Sequence, residues 1–167
     1  MKIFGIEQRY SDFGISYGLP IWCIIHGFTQ TIDPIQLVDN MIRMGLQPNS
    51  WVKLTDGIMR EQGFGTLLKA LKAVKCYIEV EDNGTGKTPG EVFNLVNRYI
   101  IEWPSSQFNI GALRPMTDLL VYKGTEYEKF ISETVRESSI KIIQCPDPQK
   151  IWEIVKNTNI RVYKKES

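Results

Sequence analysis

Trp51-Val52-Lys53-Leu54-Thr55, then Thr66 to Val74, then Cys76-Tyr77-Ile78-Glu79-Val80-Glu81 with Asp82-Asn83-Gly84 behind it: this stretch decides the fold. The two outer runs are short and rich in apolar and β-branched residues, as strands are. The segment between them places Leu67, Leu68, Leu71 and Val74 at helical spacing. Asp82-Asn83-Gly84 is a turn signal that stops the second strand. A strand, a helix and a strand in so short a span make a crossover unit of a parallel sheet.

The same alternation runs outward in both directions. Upstream, Ile21 to His26 is a continuous apolar run, as in a buried strand. Asp33-Pro34 starts a helix, with an N-cap acceptor followed by proline at the first helical position. Leu37, Val38, Met41, Ile42 and Gly45 follow at helical spacing. Downstream, Pro89 to Arg98 reads as a helix with Val92, Phe93 and Val96 on one face. Tyr99 to Trp103 reads as a strand closed by Pro104-Ser105-Ser106. Leu119 to Tyr122 reads as a strand, Glu126 to Arg136 as a helix and Ile140 to Cys145 as a strand. Asp147-Pro148 caps a helix through Val155, and Ile160 to Tyr163 is the last strand. This pattern predicts a single α/β domain over residues 1–167, a parallel sheet with crossover helices. An open doubly wound sheet and a partial (β/α) barrel both fit, and both place ligands at the carboxyl ends of the strands. The strand ends to inspect are therefore those after His26, Thr55, Glu81, Trp103, Tyr122 and Cys145.

Composition narrows the class. The chain is 43% hydrophobic and 23% charged, which is globular and excludes a disordered chain. No apolar run approaches the roughly 20 residues of a membrane helix. Met1-Lys2-Ile3-Phe4-Gly5 lacks the features of a signal peptide, so a cytoplasmic location is expected. Twenty basic against nineteen acidic residues leave a net charge of +1, which argues against nucleic-acid binding. Cys23, Cys76 and Cys145 each sit in an apolar stretch and are expected to be reduced, buried and inert. With His26 as the one histidine, a four-ligand zinc site would need every thiol and imidazole from distant positions. No metal or other cofactor is expected.

Several residues carry chemistry. Glu79 and Glu81 share one face of their strand. Close carboxylates shift each other's pKa and can serve as acid and base, although a solvated pair at a sheet end has the same spacing. His26 is either a lone general acid or base or a hydrogen-bonded structural residue. Gly84-Thr85-Gly86-Lys87-Thr88 stands where a phosphate loop would, between strand and helix. The glycine needed five residues before Gly86 is Glu81, followed by Asp82, so carboxylates stand where phosphate would bind; a plain βα turn is the alternative. Trp51, Trp103 and Trp152 are expected in the core. Residues 104–117 form one long irregular stretch holding Phe108, Ile110 and Leu113. That apolar content fits either a lid or partner-docking segment or a loop pinned over the core. Arg114, within it, would be the anion-binding group.

Taken in order, these blocks resemble the radical S-adenosylmethionine (SAM) enzymes, specifically the small 7-carboxy-7-deazaguanine synthase group. That family begins with a strand, a glycine-rich turn and a Gly-x-Pro step into an apolar strand, matched by Gly18-Leu19-Pro20 before Ile21 to His26. Its Thr-Gly-Gly-Glu-Pro block is matched by Leu54-Thr55-Asp56-Gly57-Ile58-Met59. Its Glu-Thr-Asn-Gly block is matched by Glu81-Asp82-Asn83-Gly84-Thr85. The resemblance covers residues 1–90, and beyond them only the βα alternation. Two departures bear on function. The family's Cys-x3-Cys-x2-Cys motif would begin at Phe28 or Thr29, and no thiol stands there, so the iron–sulfur loop is missing. The glutamate that grips the amino end of SAM is replaced by apolar Ile58. The resemblance therefore implies a cluster-less scaffold without reductive cleavage of SAM.

The expected function is non-catalytic binding of a small molecule or partner. Thr55, Asp56, Gly57, Glu81, Asn83 and Arg114 are the candidate ligand-binding residues. Thr55, Asp56, Glu81 and Asn83 are expected to line one polar pocket. Two alternatives stand beside it: an enzyme using Asp56, Glu79, Glu81 or His26 as acid–base groups, and a nucleotide-binding protein through Gly84 to Thr88. The expected partners are a small-molecule ligand and a second copy of the chain, with no nucleic acid and no membrane.

Overall fold

A computed structural model describes residues 1–10, 20–83, 89–90, 92–103, 117–122, 142–145 and 147–164. The architecture is mixed α/β with mostly parallel strand pairing. The chain forms two compact units, Met1–Glu81 with Thr88–Asn97, and Asp82–Lys87 with Arg98–Ser167.

In the first unit, β1 (Lys2–Tyr10) pairs antiparallel with β2 (Pro20–Thr31). β2 then pairs parallel with β3 (Trp51–Leu54), and β3 with β4 (Tyr77–Asp82). Helix α1 (Pro34–Arg43) connects β2 to β3, and α2 (Phe64–Ala73) connects β3 to β4. The helix start read at Asp33-Pro34 is present: the Asp33 carboxylate accepts the N–H groups of Ile35 (2.9 Å) and Gln36 (3.2 Å). At the other end Gly45, at φ +109°, lets Leu46 N–H reach back to Met41 C=O. The even-numbered side chains Trp22, Ile24, Val52, Leu54, Ile78 and Val80 are buried. With Leu37, Val38 and Met41 of α1 and Leu67, Leu68 and Leu71 of α2 they make the core of this unit.

In the second unit β5 (Arg98–Trp103), β6 (Thr117–Tyr122), β7 (Ile142–Cys145) and β8 (Arg161–Lys164) pair parallel in sequence order. Helix α4 (Pro148–Val155) precedes β8 and buries Ile151 and Val155. Inside this unit the buried Asp82 carboxylate accepts the Tyr99 hydroxyl proton at 2.7 Å.

Four expectations need correction. First, β2 does not stop at His26 but continues to Thr31, because β1 supplies the partner backbone at Lys2↔Thr31 and Ile3↔Gln30. That β1–β2 pair is antiparallel, so the sheet is not wholly parallel. Second, the helix expected over Pro89 to Arg98 is reduced to α3 (Val92–Leu95). Asn97 interrupts it by exchanging backbone N–H and side-chain acceptor bonds with Ile78. Third, Trp152 is 52% exposed rather than in the core. Fourth, Trp51 is half-buried and stacks on Tyr77 at 5.1 Å. The Glu126 to Arg136 helix, the turn Gly84 to Thr88 and residues 104–116, Arg114 included, lie outside the described residues. No helix among the described residues is long and apolar enough to cross a membrane.

Candidate functional site

The strand register builds the first part of the site. Glu7 pairs with Cys23, Cys23 with Lys53, and Lys53 with Glu79. In-register neighbours share a face of the sheet, so these four side chains form a row across β1 to β4, on the odd-numbered face. Two residues on, Glu81 lies on the same face. Lys53 Nζ is 2.6 Å from Glu81 Oε2 and 3.9 Å from Glu79 Oε1. Glu79 retains 1% exposure, so it is no solvated surface carboxylate. Burial alone would push the Lys53 ammonium down, but the charges of Glu81 and Glu79 and the hydrogen bond to Glu81 outweigh it, and its pKa is raised. The lysine is held as a cation. Burial pushes the neighbouring Cys23 thiol up, against the opposing pull of Lys53 and Arg9. Arg9 itself pairs with Glu7 at 2.6 Å on the exposed flank of the row.

The second part sits where β3 ends. Thr55 N–H donates to Ile24 C=O, and the Thr55 hydroxyl accepts the His26 N–H at 2.9 Å. The hydroxyl thus takes the place of the next ladder carbonyl. His26 Nε2–H donates to Glu61 Oε1 at 2.8 Å, and Lys2 N–H donates to Glu61 Oε2 at 3.1 Å. Burial pushes the Glu61 carboxyl up, but those hydrogen bonds from His26 and Lys2 prevail and hold it below its ordinary value. The pairing of Ile3 with both Gln30 and His26 marks a bulge over residues 27–29 of β2. Phe28 projects from it, 81% exposed, edge-on to the His26 ring and under the Lys2 ammonium.

The structure treats the sequence-predicted residues unequally. It gathers Thr55 and Gly57 around His26. Gly57 has φ +95°, and a Cβ there would fall 2.4 Å from His26 Nδ1. Asp56 reaches Arg60 one turn on, at 3.2 Å. Glu81 belongs to the Lys53 row, in the same unit. Asn83 falls in the second unit beside Asp82. Two participants were missed, Lys53 and Glu61. Lys53 had a signal: a charge at the centre of an apolar strand is anomalous. Glu61 had none, because it sits in an irregular segment and meets His26 only through the fold. Among the described residues no three His, Cys, Asp or Glu side chains converge as metal ligands.

Chemically, the unit offers a fixed cation flanked by two carboxylates on one sheet face, and an imidazole–carboxylate pair at the strand ends. The first arrangement suits binding of a ligand that both donates and accepts hydrogen bonds; the second suits proton transfer. No protein-family model matches the chain, and no curated protein is significantly similar to it.

Proposed function

We propose that the chain is a cluster-less relative of the radical SAM deazaguanine synthases that binds a small molecule without converting it. The observation that carries this reading is the Lys53–Glu79–Glu81 cluster on a sheet face. Glu79 is buried and Lys53 and Glu81 are partly covered. Taking a charge out of water costs several kcal/mol, and apolar replacement of buried ion clusters is often neutral or stabilising (about 1–4 kcal/mol). A cluster of that kind therefore points to a role in binding. In this reading the parallel strands of the first unit belong to a (β/α) scaffold, and Thr55, Asp56 and Gly57 join Glu81 around the ligand at their carboxyl ends. The protein works in the cytoplasm, where its three thiols stay reduced.

Thermal melting of the full chain with SAM, guanine analogues and ATP tests the reading. A ligand at about 100 times its Kd stabilises by about 2.7 kcal/mol. A shift with a guanine analogue or SAM that is lost in Lys53→Met supports it. A shift with ATP alone moves binding to the Gly84 to Thr88 turn and overturns it.

The His26–Glu61 pair favours one second reading, an enzyme with His26 as acid–base group oriented by Glu61. Under that reading His26→Gln keeps the ligand-induced melting shift and abolishes consumption of the ligand. A His26→Gln chain that consumes it as fast as the parent rules the reading out.

A further inference from the structure

The amino ends of β2 and β3 hold a separate feature. An open groove of about 480 Å³ lies there, formed by Gln8 of β1, the first residues of β2 and β3, and the segment between α1 and β3. Small-ligand sites fall in the range of about 300–1,000 Å³, so the groove has the size of one. Its lining is unusual in two respects. No charged side chain contributes to it among the described residues, although charged residues make up 23% of the chain. Trp22 and Trp51 line it, and its amide and hydroxyl side chains are those of Gln8, Gln47, Asn49 and Ser50.

Each of these polar groups both donates and accepts. A sugar hydroxyl does the same, so the lining matches a ring bearing several hydroxyls and no net charge. Aromatic residues among the lining suit the C–H face of such a ring. Of these, Trp51 is held by stacking on Tyr77, at 5.1 Å and 28° between planes. The segment that presents the carboxamides is fixed before any ligand arrives. Asn49 holds a left-handed conformation at φ 66°, its N–H donates to Lys75 C=O at 2.9 Å, and Ser50 N–H donates to Gln47 C=O at 3.2 Å. A preformed site loses less ordering entropy on binding. We infer that this groove is a binding site for a neutral saccharide, distinct from the Lys53 cluster and independent of the function proposed above.

The test is calorimetric titration of the full chain with a panel of neutral mono- and disaccharides, with uncharged nucleosides as the competing class. Gln47 is exposed, so Gln47→Ala leaves the fold intact. At least one saccharide should bind, and Gln47→Ala should weaken it by about tenfold, the loss of one to two hydrogen bonds. Trp51→Phe keeps a ring for stacking and should weaken binding less than Trp51→Ala. Equal melting temperatures for parent and Gln47→Ala separate lost contacts from lost structure. Failure of every saccharide to bind, binding of nucleosides alone, or saccharide binding that Gln47→Ala leaves unchanged overturns the inference.

Discussion

Gly57 has φ +95° and lies against the His26 ring, leaving no room for a side chain. The alanine methyl would meet the imidazole at 2.4 Å while the backbone held a conformation that L-residues rarely adopt. Gly57→Ala should therefore cost about 1–3 kcal/mol in urea unfolding, and it should displace the ring from Glu61. A loss below about 0.5 kcal/mol would mean the turn adapts freely. The partner of that ring makes a pH prediction. Glu61 has its folded pKa lowered by the bonds from His26 and Lys2. A depressed carboxyl contributes stability above its unfolded value, 4.5, and loses it as pH falls through the folded value. The stability difference between the parent and Glu61→Gln should accordingly be full at about pH 6 and shrink towards about pH 3. A difference that grows on acidification contradicts the assignment.

Helix α1 shows why some elements were legible. Asp33 and Pro34 act through the backbone immediately beside them, so their effect is written in consecutive residues. Asp33→Ala should cost about 1 kcal/mol, measured as a lower urea midpoint with an unchanged m-value. A variant of parental stability would show that water replaces the cap in full. Strand β1 is the opposite case. Along Lys2–Tyr10 only Ile3 is buried, so no alternation marks it, and its strand character comes from pairing with β2. The same distance effect hid the site's second half. Glu79 and Glu81 share a face by local geometry and could be paired from the sequence. Lys53 joins them through the β3–β4 register, and Glu61 joins His26 through a loop that returns to β2. Neither contact has a period or a spacing to read. Trp152 adds a converse lesson: an indole on a helix with an apolar stripe can still lie on the open side of that stripe.

The three cysteines sample the whole molecule. Cys23 and Cys76 are buried in the first unit and Cys145 in the second. Burial raises all three thiol pKa values. At Cys145 burial, aided by the charge of Asp147, takes the value to about 11. At neutral pH each thiol is protonated as well as covered, so a thiol reagent reads only the population that opens. The native chain should leave all three unmodified over minutes, and the unfolded chain should release three equivalents. The expectation of one domain over residues 1–167 adds a sharper requirement. If the two units unfold as one cooperative body, labelling of Cys23, Cys76 and Cys145 must rise at one urea midpoint, as residue-resolved mass spectrometry can show. Cys23 and Cys76 lie in the same unit and should coincide in any case. Cys145 decides the matter: labelling at a lower or higher midpoint than the other two would make the units separate folding bodies. A lower midpoint for Cys145 would also confine the Lys53 cluster and the amino-end groove to a unit able to fold without β5 to β8.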